Sequence, residues 1–332
     1  GYSVAHDGLK QALVEYLERQ HGVAADPAWF VFLPGMVPAL AYAAAGLRDQ
    51  HDSLMVHTPV YPPFLHIHQD TDRQLIKVPL HKSVDPTPVY DIDFDAMETL
   101  VLPDTKLLLL CNPHNPVGRV FPRSTLERLA EFCVRHKMVL CSDEIHCDLV
   151  LQPDVTPHHT ALALEGEIRN HSITLMAASK TYNVAGLACA VAIIPNDVLR
   201  RRFARARNCF VAEVSPLGMH AAEAAYREGE PWRQRLIAYL RHNRDTLAQF
   251  VTDRLPMIQM PHIEATYLAL LDVSALGLES PMSHFEKHGL GFSNGADFDA
   301  PGCVRLNFGC PHSRLLEALD RLEKAVKECR RG

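Results

Sequence analysis

Three short apolar runs in this chain break off into polar clusters whose residue types could do chemistry together. Leu107 to Cys111 runs into Asn112-Pro-His-Asn-Pro-Val-Gly118, Met138 to Cys141 into Ser142-Asp-Glu-Ile-His146, and Ile173 to Ala178 into Ser179-Lys180-Thr-Tyr. Buried parallel strands read as near-continuous hydrophobic runs, and their carboxyl ends deliver residues to a site. One end offers an amide, one a carboxylate and one an amine. An amine held beside the core loses hydration and becomes nucleophilic enough to form an imine. A carboxylate can keep a ring nitrogen protonated, and an amide can hold a ring oxygen. These are the requirements of a pyridoxal-phosphate site.

Each residue has a competing reading. Most lysines are solvated surface charges, but the six-residue apolar run before Lys180 places its backbone near the core. Asp143 is read as the partner of the ring nitrogen, whereas Glu144 reads equally as a loop carboxylate. Asn115 is the candidate for the ring oxygen, with Asn112 better suited to capping the turn. Phosphate needs oriented N–H donors, and Leu33-Pro-Gly-Met-Val-Pro opens an Ala-rich helix after the strand-like Trp29 to Phe32. There Gly35 allows close backbone approach, and the amides of Met36 and Val37 would point at the anion. Ser179 could add a hydroxyl. Tyr61 could stack on the ring or simply pack in the core. Arg305, in the alternating strand Val-Arg-Leu-Asn-Phe, should have a planar anionic partner, either a substrate carboxylate or an internal acid. His66 with His68, and His158 with His159, lack a third ligand at fitting spacing, and Cys141, His146 and Cys147 resemble a zinc cluster only superficially. No metal and no nucleophilic cysteine are expected.

The elements that must hold these residues follow an alternating pattern. Leu54 to His57, Leu107 to Cys111, Met138 to Cys141, Ile173 to Ala178 and Ala188 to Ile194 read as strands. Pro122 to Lys137 reads as a helix opened by Ser124 and Glu127 at capping-box spacing. Alternation of this kind predicts an α/β fold with a mostly parallel sheet flanked by helices. Ser3 to Gln20 reads as an amphipathic helix with Leu9, Leu13, Tyr16 and Leu17 on one face. Pro79 to Pro88 reads as an exposed loop, and Arg200 to Arg207 as a solvated helix face. After Pro216 the pattern changes to helices at Pro216 to Arg227 and Pro231 to Leu255, strands at Ala265 to Asp272 and Cys303 to Phe308, a helix near Ser283 to His288, and a closing helix from Ser313 to Glu328. The expected division is an N-terminal helix over 1–25 that joins the small domain, a large domain over 26–215 and a smaller α+β domain over 216–332.

With 332 residues, 47% of them hydrophobic and 22% charged, the composition excludes disorder and fibrous folds. A formal charge of −6 argues against nucleic acid as a partner. No apolar stretch approaches the ~20 residues that cross a membrane. Nine scattered cysteines, several inside apolar runs, fit buried free thiols in a reducing cytoplasm.

Thr-Pro-Val-Tyr-Pro-Pro-Phe, Asn-Pro-His-Asn-Pro-Val-Gly, Ser-Asp-Glu-Ile-His, Ser-Lys-Thr-Tyr-Asn-Val-Ala-Gly-Leu and Val-Arg-Leu-Asn-Phe-Gly-Cys-Pro occur here in the order seen in fold-type I pyridoxal-phosphate enzymes. More narrowly, the chain resembles the cystathionine β-lyase or cysteine-S-conjugate lyase branch of the class I/II aminotransferase superfamily, from its first residues to its last helix. The resemblance implies a catalytic set of Lys180, Asp143 and Tyr61, with Lys180 as the imine-forming lysine and Tyr61 as the stacking ring. It implies Asn115 as the ring-oxygen ligand, Arg305 as the carboxylate anchor and His146 as a further cofactor contact. Tyr2 falls where the family sends a tyrosine to the phosphate of the neighbouring subunit, which implies a homodimer with shared sites. The family also carries an N-terminal arm ahead of the point where this sequence starts. Many aminotransferases have Tyr where this chain has His146, and often Arg where it has Ala188. Those departures imply a lyase that cleaves an amino-acid thioether, cystathionine or a related cysteine S-conjugate, to a thiol such as homocysteine, pyruvate and ammonia. An aminotransferase, and a non-catalytic regulator that keeps the fold, are the alternatives.

Overall fold

A computed structural model of the chain describes residues 4–48, 52–83, 87–207 and 211–329. Its large sheet has seven strands: β1 (Phe30–Leu33), β2 (Ser53–Thr58), β3 (Gln74–Pro79), β6 (Thr105–Cys111), β7 (Val139–Asp143), β8 (Ser172–Met176) and β9 (Ala190–Ile193). Their spatial order is β1-β9-β8-β7-β6-β2-β3. The four pairings from β3 through β8 are parallel, whereas β8 with β9 and β9 with β1 are antiparallel. The mixed, mostly parallel sheet is as the sequence predicts. Its antiparallel edge follows from the link over 177–189, which carries a short 3₁₀ turn (Ala185–Leu187) rather than the helical crossover that a parallel return needs.

Helices cover both faces because the strands are apolar on both. Every residue of β2 is buried, and Leu107 to Leu110 are essentially inaccessible. On one face lie α2 (Met36–Gly46), α3 (Pro62–Thr71) and α6 (Asp197–Arg205), which pack Leu40, Phe64 and Phe203 on Leu54, Leu109 and Ile173. The other face receives α4 (Phe94–Leu100) and α5 (Arg123–Arg135). Helix α1 (Asp7–His21), grouped by the sequence pattern with the smaller domain, buries Leu9, Leu13, Tyr16 and Leu17 against α7 (Pro216–Glu228) and against Met176, Val191 and Ile193 of the sheet.

The second core gathers α8 (Glu230–Arg254), α9 (Pro281–Lys287) and α10 (His312–Cys329) against a three-stranded antiparallel sheet ordered β10 (Leu268–Asp272), β12 (Cys303–Asn307), β11 (Ser293–Asn294). Two local expectations are corrected. The N-cap of α5 is Pro122, so Ser124 lies inside the first turn and forms no capping box; Glu127 instead accepts from Arg123 Nε at 2.8 Å. The stretch read as a loop at Pro79 to Pro88 contains β4 (His81–Lys82), paired with β5 (Tyr90–Asp91). Among the described residues no helix is long and apolar enough to cross a membrane.

Candidate active site

A cavity of about 350 Å³ opens where the carboxyl ends of β6 and β7 meet the small antiparallel sheet. Gly35, Met36, Val37, Tyr61, Asn115, Asp143, His146, Ser179, Lys180 and Arg305 all line it. These are ten of the eleven positions singled out in the sequence, drawn from seven separate segments. Tyr2, the eleventh, lies outside the described residues.

The sheet sets the positions on one wall. β6 and β7 pair in register through Cys111 and Asp143, and the Asn112 N–H donates to the Asp143 carbonyl at 2.9 Å. Asn112 also takes the turn-holding role: its Oδ1 accepts from the Phe121 N–H at 3.2 Å, and its Nδ2 donates to the His159 carbonyl at 3.3 Å. That leaves Asn115 at the cavity. Asp143 is 3% exposed and accepts from the Ile145 N–H at 3.1 Å. Burial pushes its carboxyl up to about 7, with the neighbouring Glu144 adding to the rise and Lys180 opposing it. Lys180 is half-buried and makes no ion pair among the described residues.

The opposite wall belongs to β12. Arg305 Nη1 donates to Asn115 Oδ1 at 3.0 Å and Nη2 to Ser293 Oγ at 3.2 Å, while its guanidinium lies 4.3 Å above the Phe298 ring. No carboxylate pairs with it among the described residues, so the internal salt bridge weighed in the sequence is not formed. His146 is buried, and burial together with the positive Lys180 and Arg305 holds its imidazole down at about 3. Its Nδ1 has no hydrogen-bond partner, and its ring meets the edge of Tyr267 at 6.1 Å.

Gly35 is the N-cap of α2 in an extended conformation (φ 169°), which any residue could adopt. A Cβ there would touch only Pro38 Cδ at 3.8 Å. Its lack of a side chain therefore serves space, leaving the Met36 and Val37 amides uncovered at the helix N-terminus, where backbone N–H groups and the dipole favour an anion. The donor set fits pyridoxal phosphate: amides for a phosphate, an amine for an aldehyde, a buried carboxylate for a ring nitrogen and an amide for a phenolic oxygen.

Tyr267 and Asn307 also line the cavity, and the sequence reading passed over both. Asn307 carried a signal, since two residues beyond Arg305 on a strand is the same face. Tyr267 carried none, because it reaches the cavity from the segment ahead of β10.

Comparison with known proteins agrees with this geometry. Residues 1–322 match the family described as aminotransferase class I and II. The chain belongs to that family. Within it, cystathionine beta-lyase PatB of Bacillus subtilis is 34% identical, aligned over 98% of this chain and 85% of the relative. The solved structure of OvoB superposes with a TM-score of 0.93 at 44% identity, covering 98% of this chain and 85% of that one. Cystalysin from Treponema denticola, whose crystal structure contains pyridoxal 5'-phosphate, superposes with a TM-score of 0.93 at 31% identity over 99% of this chain and 84% of that one. The protein is a pyridoxal-phosphate enzyme of the carbon–sulfur lyase branch of its family.

Proposed function

We propose that this lyase cleaves the Cβ–S bond of cystathionine or a related cysteine S-conjugate, giving a thiol (homocysteine from cystathionine), pyruvate and ammonia. The observation that carries the reading is the convergence of Lys180, Asp143, Asn115 and Arg305 on one cavity. In a class I/II family member those four groups match the needs of α-proton removal from an amino acid.

The chain's own residues divide the work as follows. Lys180 holds the cofactor aldehyde and, once displaced by the substrate amine, takes the Cα proton as general base. Asp143 keeps a proton on the ring nitrogen; a cation so close would pull the carboxyl down from about 7, favouring its ionised form. When bound, pyridoxal phosphate supplies the electron sink that receives the pair left on Cα. Asn115 holds the ring oxygen, Tyr61 stacks on the ring, and the Met36 and Val37 amides with Ser179 and the bare Gly35 backbone hold the phosphate. His146, neutral at physiological pH, adds a contact to the ring without adding charge. Arg305 grips the substrate carboxylate. Loss of the Cα proton to Lys180 and of thiolate from Cβ leaves an enamine, which water converts to pyruvate and ammonia.

Ala188 supports elimination over amino transfer: it adds no second cation at the position where many aminotransferases carry Arg. The reading includes a cytoplasmic homodimer in which Tyr2 of the partner subunit reaches the phosphate. Five of the eight free cysteines among the described residues are buried, as suits a reducing compartment. Incubation with cystathionine should release pyruvate and free thiol without an acceptor. Formation of a new amino acid only when a keto acid is added would overturn the reading in favour of an aminotransferase. Light scattering should give twice the monomer mass.

A further inference from the structure

Between α8 and β10 the chain crosses from the small sheet to the cavity wall, and residues Ile263 to Tyr267 are threaded between two of the wall's loops. On one side, the N–H groups of Glu264 and Ala265 both donate to the Gly118 carbonyl, at 2.9 and 3.0 Å. On the other, the Thr266 N–H donates to the Leu149 carbonyl at 2.9 Å, and the Leu151 N–H to the Glu264 carbonyl at 2.8 Å. The Glu264 side chain, 11% exposed, closes the seam: Oε1 accepts from Arg119 Nη1 and Oε2 from the Val120 N–H, both at 2.7 Å. Gly118 has φ +70°, and a Cβ on it would lie 2.7 Å from Ile263 Cγ2, so this approach requires glycine on both counts.

Gly118 to Val120 is the outgoing leg of the loop that carries Asn115. The loop is closed by the His114 N–H donating to the Arg119 carbonyl (2.7 Å) and the Gly118 N–H donating to the His114 carbonyl (2.8 Å). Glu264 therefore grips the base of this loop from outside the cavity, at the point where the closed turn begins. Charge-assisted hydrogen bonds to a half-desolvated carboxylate are short and directional, which suits them to fixing a position.

We propose that Glu264 is a positioning residue for the reaction. It touches neither substrate nor cofactor, but it sets where Asn115 stands and, through the Arg305–Asn115 hydrogen bond, where the carboxylate anchor stands. This rests on the roles given above to Asn115 and Arg305. A displacement of ~1 Å at such a point costs catalysis heavily, even when the displacing change lies away from the chemistry.

The test uses E264A and E264Q in the holoenzyme. Arg119 keeps Asp91 as a partner at 3.2 Å in both, and Gln retains an acceptor for the Val120 N–H, which limits damage to folding. The expected result is a KM for the thioether raised about tenfold in E264A and about threefold in E264Q, with kcat changed less than threefold. The pH midpoint of the cofactor absorbance should move, and amide hydrogen exchange should quicken over 116–121 while the rest of the chain is unchanged. A lowered melting temperature with wild-type KM, absorbance midpoint and exchange would overturn the proposal and leave Glu264 a structural weld. Should E264A fail to fold, E264Q decides alone. Should the wild-type enzyme release no pyruvate, the functional reading fails, while the exchange and absorbance readouts still judge Glu264.

Discussion

Asp143 and Glu144 are adjacent carboxylates at the end of one strand, both buried, and their surroundings differ on every other count. Asp143 faces the cavity and accepts from one backbone N–H, so burial dominates and its carboxyl rises to about 7. Glu144 points away from the cavity and is fully buried. Ser142 Oγ donates to it at 2.9 Å, the Ala161 N–H at 2.8 Å, and His158 Nε2 lies 3.0 Å away. Burial raises it too, but the bonds from His158 and Ala161 outweigh that and hold it below the ordinary carboxylate range. Glu144 is thus saturated by its own protein and ties the β7 end to the 158–161 loop. Asp143 carries an electrostatic cost that a protonated ring nitrogen would relieve. Donor count, more than burial, separates the carboxylate that serves the site from the one that serves the fold.

The cavity side of this contrast is open to the largest disruption. Replacing Lys180 by Ala should remove the cofactor's imine absorbance and cut turnover by at least about 10³-fold; unchanged pyruvate release would end its assignment as base. Next, Asp143→Ala should lower kcat about 10²- to 10³-fold while leaving the melting temperature unchanged or raised, since it removes a strained carboxyl. Arg305→Lys should raise KM about ten- to a hundredfold with kcat nearly intact, because an ammonium cannot reproduce the forked contact with a carboxylate. On the fold side, Glu144→Gln should cost about 2–4 kcal/mol of stability, read by denaturant melts, with kcat within tenfold of wild type. An E144Q that folds normally but loses turnover would collapse the distinction.

The same contrast explains what the sequence could and could not reveal. The strand ends were legible because hydrophobic runs that stop at polar clusters carry their own punctuation, and Asn115, Asp143 and Lys180 sit at or just past those stops. Glu144 could not be told from Asp143, because its partners His158 and Ala161 lie in a loop that local pattern does not connect to β7. Glu264 was invisible for the same reason, since its meaning depends on Gly118 and Val120 across the fold. Helix α3 escaped notice because Tyr61-Pro-Pro reads as a turn, whereas proline in the first helical turn equally starts a helix. The small sheet's strands and helices were found within a few residues of their true ends, where the alternation and the 3.6-residue period are strong.

The smallest expected effect tests the contrast through pH alone. In cofactor-stripped protein the Asp143 carboxyl, at about 7 when folded and near 3.8 when unfolded, keeps a proton on the folded chain that the unfolded chain has released. Between about pH 4 and 7 the folded state therefore binds more protons, so stability from this group falls as pH rises through that window. Glu144 runs the other way: its folded value is depressed, so its contribution is present above its unfolded value of 4.5 and is lost as pH falls through the folded one. Melting curves across pH should show Asp143→Asn flattening the decline between about pH 4 and 7 by a few degrees, and Glu144→Gln blunting only the loss at acid pH. Loading the cofactor should flatten the wild-type decline as well, because the ring cation depresses Asp143. If loading leaves the wild-type profile as steep as that of the stripped protein, Asp143 does not face the ring nitrogen, and the contrast between the two carboxylates rests on burial alone.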